Sequence, residues 1–248
     1  MTPMTATTVL VPGAWHGAWC WDRVIDGLTA KGLPALAVDL PGHGLDPGPL
    51  SDLHGDAARV REVLDRLEAA GDDVVLVGHS YGGAVITEAG VHPVVQHLVY
   101  LCALALADDE SCATIAAGDP AALSIAQDGR PNLSEALVID EDGVATLTRP
   151  DLAGRCLYNE CDPETATWAL SRLGPQPMVT LQQVPDAVAW RATPSTYVVC
   201  ANDFAVHPEL QRIMATRCSR SVEWESDHSP FLSHPDLVTN LLAEIAGA

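Results

Sequence analysis

The sequence predicts an α/β fold, a mostly parallel sheet with helices packed on both faces. Three observations carry this expectation. Short apolar runs alternate with longer stretches of helical spacing. A glycine-flanked serine, Gly78-His79-Ser80-Tyr81-Gly82, stands where one such run meets a helical stretch. The alternation then breaks for roughly 80 residues, about 107 to 190, and resumes afterwards. A chain of 248 residues is long enough for one full-sized core.

The elements follow in order. Val9-Leu10-Val11 reads as a strand, followed by a loop and a helix from about Ala18 to Lys31. Ala35 to Val38 is the next strand and runs into the turn residues Asp39-Leu40-Pro41-Gly42-His43-Gly44. From Asp52 to Ala70 apolar residues at 57, 60, 64, 67 and 70 keep helical spacing, and Gly71 is placed to stop the helix. Val74 to Val77 is a buried strand, Ala84 to Gly90 a helix, and Leu98 to Leu101 a strand. After the interruption come a strand at Thr196 to Cys200, a helix at Pro208 to Thr216, a strand at Ser221 to Glu225 and a last helix at Pro235 to Ile245. The interruption holds glycine, proline and acidic clusters, short helical pieces such as Pro163 to Leu173, and no strong strand. It is too long for an ordinary connection. The expectation is a helical lid, residues 107–190, over the carboxyl ends of the strands. The core is then 1–106 with 191–248, all within a single domain. A separately folding second domain is the weaker alternative.

Composition excludes several functions. There are 13 basic and 33 acidic residues, a formal net charge of −20, and Lys31 is the only lysine. Such a surface repels phosphate backbones and anionic lipid, which argues against nucleic acid or a membrane as partner. No apolar run approaches the roughly 18 residues of a membrane span. The seven cysteines are scattered and form no C-x-x-C pair, which argues against a disulfide framework and a structural zinc site. The N-terminus runs almost directly into the first strand, which predicts no signal peptide. Reduced thiols in a cytoplasmic protein fit both observations.

The chemistry is predicted at Ser80. A serine hydroxyl needs a base to take its proton and a backbone that projects it clear of its neighbours. A sharp strand-to-helix turn achieves the projection and requires glycine on both sides. The loop Val11-Pro12-Gly13-Ala14-Trp15-His16-Gly17 follows the first strand and is expected to supply an oxyanion donor, the Ala14 N–H. The second donor is expected from Tyr81, the residue after the nucleophile. The base and acid should lie C-terminal to the serine. His228 follows the last strand, and Asp203 follows the strand ending at Cys200. Asp227 is the rival acid, but neighbouring residues on an extended segment point in opposite directions. His79 is expected to turn away from Ser80, His43 to be a loop residue, and His207 and His234 to lie on the surface. His16 is a candidate for the pocket wall, with Trp15, Trp168 and Phe231. No pair of residues has metal-ligand spacing, so neither metal nor other cofactor is expected.

The segments Val11 to Trp21, Gly78 to Gly83, Cys200 to Asp203 and Asp227 to Phe231 resemble the α/β-hydrolase branch of plant methylesterases, hydroxynitrile lyases and bacterial carboxylesterases, pyrethroid hydrolases included. Leu157-Tyr158-Asn159-Glu160-Cys161-Asp162 is similar to bacterial members. The resemblance covers nearly the whole chain. It implies a triad of Ser80, Asp203 and His228, oxyanion donors at Ala14 and Tyr81, and an α/β-hydrolase sheet of about six strands. Pro12 departs from the plant pattern, which places a histidine before the glycine.

Three functions are weighed on this basis. The first is a carboxylesterase cleaving a small, apolar ester through an acyl-enzyme on Ser80. The second is a hydroxynitrile lyase, but the resemblance places a lysine beside the histidine and a threonine in the oxyanion loop of lyases. Here those positions are Ser229 and Ala14. The third is a ligand-binding receptor on a hydrolase shell. A homodimer is compatible with the sequence, which leaves the oligomeric state open.

Overall fold

The computed structural model describes residues 6–118 and 130–247. The predicted cap segment 119–129, the first five residues and the last residue lie outside them. Six strands form the central sheet: β1 (Thr7–Val11), β2 (Ala35–Ala37), β3 (Val74–His79), β4 (Val95–Leu101), β8 (Ser195–Cys200) and β9 (Arg220–Trp224). Their spatial order is β2-β1-β3-β4-β8-β9, and every neighbouring pair is parallel.

Strand periodicity sorts the side chains into two cores. Val9, Val11, Val74 and Leu76 join one apolar cluster, while Leu10, Val75 and Val77 join the other. Burying one such side chain fully contributes roughly 1.5–3 kcal/mol. Strands buried on both faces therefore read as unbroken apolar runs. Helices α2 (Leu53–Ala70), α3 (Gly82–Ala89) and α8 (Pro208–Ala215) cover the first face. Helices α1 (Asp22–Ala30), α9 (Pro230–Ser233) and α10 (Pro235–Ala246) cover the second. The ends of α2 are set as the residues predict. The Asp52 carboxylate accepts the Gly55 N–H at 2.9 Å, and Gly71 ends the helix at φ +82°. Among the described residues no helix is long and apolar enough to cross a membrane.

The chain between β4 and β8 forms the lid-like cap expected, and it carries a small sheet that the sequence pattern did not announce. Helices α4 (Cys112–Gly118), α5 (Pro150–Leu157), α6 (Pro163–Leu170) and α7 (Val179–Gln182) are present. So is an antiparallel sheet of β5 (Leu137–Ile139), β6 (Val144–Leu147) and β7 (Gln176–Pro177). Strands of two to four residues are too short to show an alternating pattern. Pro163 to Leu173 is helical only to Leu170; its start is fixed by Asp162, whose carboxylate accepts the Thr165 N–H at 2.9 Å.

Candidate active site

Ser80 sits at the junction of β3 and α3 with φ +51°, a left-handed conformation that an L-residue adopts under constraint. The constraint is close backbone packing. A Cβ on Gly78 would lie 2.5 Å from the Gly82 carbonyl oxygen, and one on Gly82 would lie 2.6 Å from that of Pro12. No side chain larger than hydrogen fits at either position. The turn is fastened by the Ser80 carbonyl, which accepts the Gly83 N–H at 2.9 Å and the Leu104 N–H at 3.0 Å.

A cavity of about 290 Å³ opens at this turn, with Ser80, His228, Ala14, Tyr81, Trp15 and His16 in its wall. The cap and its flanking loops add apolar wall through Leu104, Leu133, Leu157, Met178 and Leu181. No acidic residue, lysine or arginine among the described residues lines it. Among the described residues, neither the Ala14 N–H nor the Tyr81 N–H donates to a protein acceptor.

His228 lies on the loop after β9, and Asp203 on the loop after β8; both are buried. The Asp203 Oδ2 is 2.7 Å from His228 Nδ1. Its Oδ1 accepts the N–H groups of Ala205 at 2.7 Å and Val206 at 2.9 Å. Oδ2 also accepts Gln211 Nε2–H at 2.8 Å. Four donors thus surround one carboxylate, which fixes its direction toward the His228 ring. Sequence reasoning missed Gln211. It is fully buried on α8, and its Oε1 accepts the Cys200 N–H at 2.9 Å. The available signal was a glutamine beside Leu210 and three residues before Met214, on the side of the helix that faces the core.

Asp227 is buried and does different work. Its Oδ1 accepts the Ser229 N–H at 3.2 Å and the Ser233 hydroxyl at 2.6 Å, and its Oδ2 accepts the Glu160 N–H at 3.1 Å. It ties the histidine loop to the cap. Burial pushes its carboxyl above the usual range, against those hydrogen bonds.

The other histidines are held structurally. His79 donates Nε2–H to the His228 carbonyl at 2.8 Å, and burial drives it well below the usual histidine range. His16 donates Nδ1–H to the Ala14 carbonyl at 2.8 Å and accepts the Tyr158 hydroxyl at 2.7 Å. Burial, opposed by the Ala14 contact, lowers it to about 4, so it is neutral around pH 7. His43 donates Nε2–H to Gln176 Oε1 at 3.1 Å.

Two residues expected in the pocket lie elsewhere. Trp168 packs edge-on against Trp19, with ring centroids 5.2 Å apart and the Arg172 guanidinium 4.7 Å from its own. Phe231 is buried between Trp21 and His79, at 4.9 and 4.7 Å, and serves the core behind the site. Both were placed by chain proximity to the site or cap, which does not say which way a ring points.

Metal ligation is a poor description of the residues that cluster. Ligand atoms of His79, Cys102 and His228 lie within 4.8 Å of one another. Both His79 Nε2–H and Cys102 Sγ–H donate to the His228 carbonyl, however, which accounts for their convergence. His54, Glu88 and Asp186 form a second group, in which Glu88 pairs with His54 and Arg61.

The sequence profile of the alpha/beta hydrolase family matches residues 8–241. The chain belongs to this family. It is 32% identical over 253 residues to the alpha/beta hydrolase nvfD of Aspergillus novofumigatus, covering 96% of each chain. It is 30% identical to the probable esterase PIR7A of Oryza sativa, over 96% of this chain and 95% of that one. The crystal structure of a pyrethroid hydrolase from Sphingobium faniae superposes with a TM-score of 0.82 at 25% identity, covering 98% of both chains. The α/β-hydrolase architecture and the six-stranded sheet follow the expectation from the resemblance, and the cap follows that from the interrupted alternation.

Proposed function

We propose that this enzyme, of the carboxylesterase type, hydrolyses small, neutral, apolar esters at the cavity around Ser80. The observation that carries the reading is the convergence on one cavity wall of a serine in a strained turn and a histidine paired with a buried aspartate. Ser80 Oγ attacks the acyl carbon while His228 Nε2 takes its proton; Asp203 holds the imidazole in the tautomer that leaves Nε2 free and stabilises the imidazolium. The N–H groups of Ala14 and Tyr81 receive the oxyanion. Collapse of the tetrahedral intermediate releases the alcohol, protonated by His228. Water, deprotonated by the same histidine, then attacks the acyl-enzyme and frees the acid.

The substrate class follows from the walls. An apolar cavity with no lysine or arginine among its described lining offers little to a carboxylate on the substrate and favours uncharged groups. At about 290 Å³ it admits a ligand at the small end of the usual range.

A fluorophosphonate probe tests this reading: one label is expected, on Ser80 by peptide mass spectrometry, with loss of turnover in proportion. Neutral p-nitrophenyl esters should be cleaved at least about tenfold faster than esters bearing a carboxylate, as one unmatched desolvation penalty implies. Labelling elsewhere, or turnover that survives complete labelling of Ser80, counts against it. EDTA should leave the rate unchanged; a loss restored by zinc would contradict metal-free chemistry.

A further inference from the structure

Residues Gly13 to His16 form a tight turn, closed by the His16 N–H donating to the Gly13 carbonyl at 3.2 Å. Trp15, its third residue, has φ +65°, whereas Ala14, its second, is not at positive φ. A positive φ at the third residue alone marks a type II turn, which favours glycine there because a Cβ crowds the backbone. Here tryptophan occupies it. Types I and II differ by a flip of the central peptide, the one carrying the Ala14 carbonyl and the Trp15 N–H. Type I would relieve the crowding at Trp15.

The cap holds it. Trp15 donates its N–H to Gln176 Oε1 at 3.1 Å and its indole N–H to the Ala145 carbonyl at 3.2 Å. The Trp15 carbonyl accepts the Gly174 N–H at 2.8 Å. On the other side of the peptide, the Ala14 carbonyl is held by His16. Ala145 and Gln176 are paired neighbours on β6 and β7, so the small cap sheet presents both partners together. Gln176 is itself fully buried, and its amide has one orientation. Nε2 donates to Thr180 Oγ1 at 2.8 Å, which leaves Oε1 facing Trp15. It is not among the residues lining the cavity, so it acts through the turn.

We propose that Gln176 is a positioning residue that holds the Ala14–Trp15 peptide in the type II orientation and thereby fixes the place of the Gly13–His16 turn, which carries the Ala14 N–H. The inference rests on the ester-hydrolase reading of the site. A donor must stand near 3 Å from the transition-state oxygen, and a displacement of about 1 Å is enough for a hundredfold loss. Docking of the cap sheet thus completes the catalytic apparatus as well as roofing the pocket.

Gln176→Met keeps the volume and removes the acceptor. On a neutral p-nitrophenyl ester, kcat is expected to fall about 10- to 100-fold, with KM within about threefold of the original. A trifluoromethyl ketone, which forms an oxyanion on Ser80, should lose affinity in parallel with kcat/KM. An unreactive ether of the same shape should bind as before. In a Trp15→Gly background, where the type II turn needs no help, the same substitution should cost at most about threefold. Should Gln176→Met not fold, Thr180→Val frees the Gln176 amide to rotate and should show the same signature at smaller size. Turnover of Gln176→Met within twofold of the original overturns the inference. So does equal weakening of the two inhibitors, or an undiminished penalty beside Trp15→Gly. Ser80→Ala separates the two levels: if it is inactive while Gln176→Met is unaffected, only the role of Gln176 falls. If Ser80→Ala stays active, the ester-hydrolase reading falls and takes this role with it.

Discussion

Ser80→Ala is expected to lower turnover of an activated ester by at least about 10³-fold, leaving the melting temperature within a few degrees of the original. The two halves have separate causes. Ser80 is only half-buried and stands on the wall of the cavity, so removing its hydroxyl opens no hole in the core. Alanine meets the same backbone constraint at φ +51° as serine does, because the strain comes from the Cβ that both carry. The chemistry, by contrast, loses the atom that forms the acyl-enzyme. What remains is the oxyanion site and the residual effect of binding. The measurement is a progress curve beside a thermal melt on the same preparation. Comparable turnover from a correctly folded Ser80→Ala protein would remove the nucleophile and, with it, the proposed function.

Much of this site was legible because its parts sit at the ends of strong strands. Val74 to Val77 and Thr196 to Cys200 are buried on both faces, so their apolar runs announce where the strands end, and Ser80 and Asp203 follow directly. The stop of α2 at Gly71 was equally plain. The cap was not. Its sheet is held by a few main-chain pairs and by contacts with Trp15, and no periodic pattern in the sequence encodes such long-range partners. Gln176 and Gln211 escaped notice for a related reason. A buried amide is made acceptable by partners far along the chain, Trp15 in one case and Asp203 in the other, and sequence alone does not pair them. Trp168 and Phe231 show the opposite error, in which a large side chain near the site was given a role that its direction denies.

Asp203→Asn is expected to cut turnover by about 10⁴-fold while the chain remains folded. The amide oxygen can keep the two backbone donors now on Oδ1, those of Ala205 and Val206. The amide nitrogen then takes the place of Oδ2, where it faces His228 Nδ1 and the Gln211 amide donor. Toward the imidazole it donates where it formerly accepted, which moves the ring proton to Nε2 and leaves no lone pair for the Ser80 proton. Toward Gln211 it sets donor against donor. Gln211 keeps a second acceptor in the Val206 carbonyl at 2.7 Å, so this conflict weakens the fold without abolishing it. Asp227→Asn is the matched comparison, and its effect should be the reverse. That carboxylate serves four donors, the Cys161 thiol at 4.0 Å among them, and none belongs to the His228 ring. An amide leaves at least one unmatched, for a loss of about 1–3 kcal/mol in stability and a melting temperature lower by several degrees. Its kcat should stay within about tenfold of the original, since only the loop carrying the histidine loosens. Both variants would be assayed on one activated ester, with circular dichroism to establish folding. A severe loss in Asp227→Asn beside a nearly active Asp203→Asn would transfer the acid's role to Asp227. The 2.7 Å contact of Asp203 with the ring would then be structural only.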